Sequence, residues 1–63
     1  MQPHQERVIA EKAELDAKID KLTAFLKGDV FSTLSEGEQD RMKRQHAHME
    51  AYSGILSERI VNF

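Results

Sequence analysis

Val8, Lys12, Leu15, Ile19, Leu22 and Leu26 recur at steps of four, three, four, three and four. On an α-helix those steps fall on one stripe, a coiled-coil-like seam. Ala, Glu, Lys and Asp fill most of the positions between them, and most of these are strong helix formers. A second stripe follows later in the chain: Met42, His46, Met49, Ser53, Leu56, Ile60 and Phe63 step by four and three in alternation. Facing positions of an antiparallel pair have a constant index sum. Leu26/Met42, Leu22/His46, Ile19/Met49, Leu15/Ser53, Lys12/Leu56, Val8/Ile60 and Gln5/Phe63 all sum to 68. The chain is therefore expected to be all-α, an antiparallel two-helix hairpin. A register shifted by one turn stays compatible with the pattern. Val8, Leu15, Ile19, Leu22, Leu26, Met42, Met49, Leu56 and Ile60 are the expected core and self-association residues. Lys12 and Ser53 are polar residues on apolar seams. Lys12 is expected to lay its stem over Leu56 and fix the register.

The ends of the helices have local signals. Pro3 suits a first helical turn, where its missing N–H costs nothing. Glu6 in that turn favours the positive end of the helix dipole. Helix 1 is expected over about residues 3–27, with Gly28 closing it in the left-handed conformation. Ser35-Glu36-Gly37-Glu38 matches the S-x-x-E capping box, so helix 2 is expected from 36 to about 61. Residues 28–35 connect the two. Val30, Phe31 and Leu34 are too apolar for a free loop, and a short helical turn starting at Asp29 is expected to tuck all three over the end of the hairpin.

Length then changes the picture. Sixty-three residues form one domain, 1–63, and bury little apolar surface. With no cysteine there is no disulfide framework to compensate. Ala10, Ala13, Ala17 and Ala24 make a second stripe on helix 1. Ala47, Ala51, Gly54, Tyr52 and Ile55 lie off the seam on helix 2. A lone hairpin leaves these wet, so two hairpins are expected to pair into a four-helix bundle.

Charge and candidate chemistry follow. The net charge of −2 disfavours nucleic acid as a bulk electrostatic partner. No apolar run approaches the ~20 residues of a membrane span, and MQPHQERV lacks the apolar stretch of a signal peptide. A cytoplasmic protein is expected, and no membrane partner. Base gathers in the last third, where Arg41, Lys43, Arg44 and Arg59 outnumber Glu50 and Glu58. Arg41, Arg44, His48, Tyr52, Ile55 and Arg59 follow steps of three or four along one side of helix 2. Arg, Tyr and Ile together have the composition of a protein-binding hot spot; Arg with Tyr equally suits a phosphate and a stacked base. His46 and His48, two apart, face different ways, and His46 with Glu50 supplies at most two ligands, so no metal site is expected. There is no Gly-rich phosphate loop, nucleophile elbow or H-E-x-x-H. No catalytic residues and no cofactor are expected, and the chain reads as non-enzymatic.

ERVIAEKAELDAKIDKLTAFL, then F-x-x-L-x-x-x-E-Q in FSTLSEGEQ, then M-x-x-Y-S-x-I-L-x-x-R-I from Met49 to Ile60, resemble a family of very small helical proteins encoded by tailed phages and prophages. The resemblance covers nearly the whole chain and names no functional site. It implies a phage or prophage accessory protein that acts by binding in the host bacterial cytoplasm. The first expectation is a homodimer that inhibits or retunes a host protein. The alternatives are an oligomeric sponge for a cyclic nucleotide signal and an accessory DNA-binding or recombination protein.

Overall fold

A computed structural model covers residues 1–63. Two helices, α1 (Pro3–Leu26) and α2 (Glu36–Val61), are joined through one 3₁₀ turn, Phe31–Thr33. They pack antiparallel into a hairpin of 46 × 15 × 13 Å. That thickness is one pair of helices, so the interior is a single seam. Val8 and Ile19 are buried from α1, Ser53 and Leu56 from α2, and Phe31 from the turn. Leu56 alone is fully enclosed. Lys12, Leu15, Leu22, Leu26, Met42, His46, Met49 and Ile60 are half-buried along the same seam.

Three polar contacts cross the seam and fix its register. Ser53 Oγ donates to Asp16 Oδ1 at 2.6 Å. Lys12 Nζ donates to Ser53 Oγ at 3.2 Å. Thr23 Oγ1 and His46 Nε2 share a hydrogen bond of 2.7 Å. Sliding one helix by a turn, about 5.4 Å, breaks all three. The shifted register left open by the apolar pattern is thereby excluded.

The helix ends differ from expectation in three places. No glycine has a positive φ, so Gly28 is not a left-handed cap. The chain instead leaves α1 with Lys27 still near the helical region, and the Gly28 N–H donates to Phe25 O at 3.0 Å. The 3₁₀ turn follows so closely that a right-handed exit suffices. Ser35 does cap α2, accepting from the Glu38 N–H at 3.2 Å. The Glu38 carboxylate, however, pairs with Arg41 at 3.0 Å rather than completing the box. A guanidinium within reach is a stronger partner for it than a neutral amide. Val30 is 59 % exposed, so only Phe31 and Leu34 of the three apolar residues tuck in.

Phe31 closes the turn end of the hairpin. Its ring meets Phe25 edge to face, with centroids 6.5 Å apart, and Lys43 Nζ lies 5.8 Å from its centre. Side-chain bonds to the backbone hold the turn in place. Thr33 Oγ1 donates to Val30 O at 2.6 Å, Ser32 Oγ to Asp29 O at 2.8 Å, and Gln39 Nε2 to Leu34 O at 2.9 Å. At the other end, the Gln2 N–H donates to Gln5 Oε1 at 2.9 Å, a cap the sequence pattern did not signal.

Candidate functional site

Two groupings of polar side chains carry chemistry. The first lies inside the seam. Lys12 Nζ bonds Asp16 Oδ2 at 2.6 Å, and both bond Ser53. A Lys, an Asp and a buried Ser in mutual contact invite comparison with a nucleophile and its base. The bonding runs the other way. The Ser53 proton goes to a carboxylate that already neutralises the ammonium, leaving no free base. Ser53 is 8 % exposed, and no cavity opens at it. The triad satisfies its own polar groups; no buried side-chain nitrogen or oxygen lacks a partner. Lys12 thus bonds within the seam through its ammonium.

Asp16 is held below its ordinary value of 3.8, chiefly by the hydrogen bond from Lys12 and next by that from Ser53. A depressed carboxylate stabilises the fold fully above pH 3.8, and that contribution is lost as the pH falls through the lower folded value. The melting temperature of the parent should therefore drop more steeply below pH 3.8 than that of Asp16→Asn. Parallel acid profiles of the two, followed by circular dichroism, would refute this role for Asp16.

The second grouping lies outside, on α2. Arg41, Arg44, His48, Tyr52, Ile55 and Arg59 are all exposed. Arg44 pairs with Asp40 at 2.9 Å and Arg41 with Glu38 at 3.0 Å. Both arginines are therefore already partly neutralised. His48, Tyr52 and Arg59 make no side-chain hydrogen bond or ion pair within the chain. They sit at steps of four and seven, so an imidazole, a phenol ring and a guanidinium share one flank of the helix. Tyr52 is 43 % and Ile55 53 % exposed. The flank offers a stacking ring, an apolar neighbour and a free cation. It offers no enclosure, because the hairpin alone contains no cavity.

His46 lies on the seam beside Thr23, and its Nε2 is 3.6 Å from Glu50 Oε1. No three His, Asp or Glu side chains converge as a metal site would require. No helix is long and apolar enough to cross a membrane. The residues that sequence reasoning passed over are Asp16 and Thr23. Each stands one position beyond a seam residue, where periodicity is silent. The Lys12–Asp16 spacing of four was the available signal.

The model of the Sequestin family matches residues 2–62. A protein of Enterobacteria phage T4, described as an uncharacterized 7.5 kDa protein in the denB-rIIB intergenic region, is 36% identical over 63 residues. The match spans 100% of this chain and 98% of that relative. No solved structure matches the chain. The chain belongs to the Sequestin family, a family of small phage-encoded proteins.

Proposed function

We propose that the protein is a non-enzymatic phage accessory protein that sequesters a host-derived molecule. It acts in the bacterial cytoplasm, as a self-associated hairpin. The family's name, Sequestin, suggests sequestration, and sequestration is stoichiometric binding without turnover. The favoured occupant is a small anionic nucleotide signal, cyclic or linear. The observation that carries this is the trio of unpartnered groups on α2: Tyr52 to stack a base, with Arg59 and His48 to meet phosphate. Since one hairpin encloses nothing, a small ligand is held between copies.

A host protein is the second reading. Exposed Ile55 and Tyr52 beside arginines favour it, because such anchors dominate protein interfaces. Titration calorimetry against a panel of cyclic and linear nucleotides separates the two. Binding at micromolar affinity or better is expected for at least one nucleotide, with Tyr52→Ala and Arg59→Ala each weakening it at least about tenfold. Both variants should keep the parent helicity, since exposed positions contribute under ~1 kcal/mol to stability. A panel with no binder, together with a host protein retained stoichiometrically from lysate and lost in the same variants, would transfer the function to the second reading.

A further inference from the structure

The side of α2 turned away from α1 carries a pattern of size and charge that is symmetric about Ala51. At about 100° per residue, Arg44, Ala47, Ala51, Ile55 and Glu58 fall on one outward strip, flanked by His48 and Gly54. All seven are exposed or only partly covered. Between residues 44 and 58 this strip carries no charge. A surface helix ordinarily shows water its polar side. Gly54 adds a second anomaly. A Cβ built there would meet nothing within 4 Å, so the hairpin itself has no need of a glycine in mid-helix. Glycine there weakens the helix, and the space beyond it is open.

We infer that this strip is where a second copy of the chain docks, α2 against α2 and antiparallel, with the two-fold axis beside Ala51. The self-association in the proposed function is the premise. Under that symmetry residue n faces residue 102 − n of the partner, because Ala51 faces itself. Ala47 then faces the partner's Ile55, a large side chain against a small one in both directions. Gly54, on the flank opposite His48, comes beside the partner's Ala47. Arg44, which pairs with Asp40 within the chain through Nε alone, faces the partner's Glu58 with the rest of its guanidinium, and Glu58 faces the partner's Arg44. The cation and the carboxylate each stand seven residues, two helical turns, from the axis. A parallel pairing would set Arg44 on Arg44 and Ile55 on Ile55, so charge and size both select the antiparallel one. Alanine and glycine at the crossing let the helix axes approach to the near end of the usual range, about 8 Å.

The arrangement also divides the exposed residues by task. Arg44, Ile55 and Glu58 join the two copies. His48, Tyr52 and Arg59 stay on the flank. The two-fold axis brings that flank of both copies to the same side, where a ligand would lie between two tyrosines and two free arginines.

Charge reversal tests the docking. Sedimentation of the parent at micromolar concentration should show a dimer or higher species. Arg44→Glu and Glu58→Arg should each raise the dissociation constant at least about tenfold, because each sets like charges together twice. The double variant should restore association, and circular dichroism should show unchanged helicity in all three. Ala51→Cys introduces the only thiol in a chain without cysteine. That variant should form a disulfide-linked dimer on mild oxidation, as its two copies come within disulfide reach. A monomeric parent would overturn the self-association premise and this docking with it. An oligomeric parent whose single charge reversals associate normally, or whose Ala51→Cys variant fails to cross-link, would overturn this face and leave self-association standing.

Discussion

Leu56→Ala is expected to unfold a large share of the protein at physiological temperature. Leu56 is the one side chain with no exposure at all, so its loss leaves a cavity that only a thin seam can relax into. Such truncations cost ~2–5 kcal/mol in well-packed cores. At ~0.05–0.15 kcal/mol per residue, a chain this short holds only ~3–9 kcal/mol in total. The melting temperature should fall by at least about 8 °C, since 1 kcal/mol moves a domain of this size by ~4–8 °C. Val61→Ala is the control: Val61 is 83 % exposed and should shift the melt hardly at all. Melts at one fixed concentration, by circular dichroism, check both, because association makes stability concentration-dependent. A Leu56→Ala protein that melts within a degree or two of the parent would place the core elsewhere.

That Leu56 surpasses its seam neighbours was not visible in the sequence. Periodicity weights every seam position alike, yet a two-helix seam does not enclose its positions equally. Leu22 and Leu26 share the pattern and are only half-buried. The hairpin itself was legible because both stripes keep one index sum, and only antiparallel helices of matched length satisfy that. The connection was less so. Gly28 looked like a left-handed cap because glycine usually is one there. In this chain the next turn begins at once and no reversal of hand is needed. Val30 was grouped with Phe31 and Leu34 by hydropathy, but a 3₁₀ turn points neighbouring residues in different directions, and only one of the first two can face inward. The outer flank of α2 was legible as a set of residues and not as a set of partners. Which arginines are spent on Glu38 and Asp40, and which one is free, depends on rotamers that composition does not encode.

The seam triad makes the other large prediction, with opposite signs for partial and complete replacement. Asp16→Ala alone leaves the Lys12 ammonium and the Ser53 hydroxyl facing each other on a half-covered seam, without their common acceptor. The variant should melt below the parent, because an unpartnered polar group costs more than the pair contributes. Replacing all three at once, Lys12→Leu with Asp16→Ala and Ser53→Val, joins the apolar residues on either side into one continuous seam. That variant should melt above the parent by several degrees. It should also lose definition. Polar residues on a seam fix register and partner number at some expense of stability, and the remaining crossing bond, Thr23 to His46, lies near the turn end alone. Sedimentation should then resolve several species where the parent gives one, and amide exchange near the chain ends should quicken. A triple variant that melts below Asp16→Ala would mean that the triad is a source of stability in its own right. A triple variant that melts higher yet sediments as a single species like the parent would mean that the apolar seam and the outer face of α2 set the assembly without it.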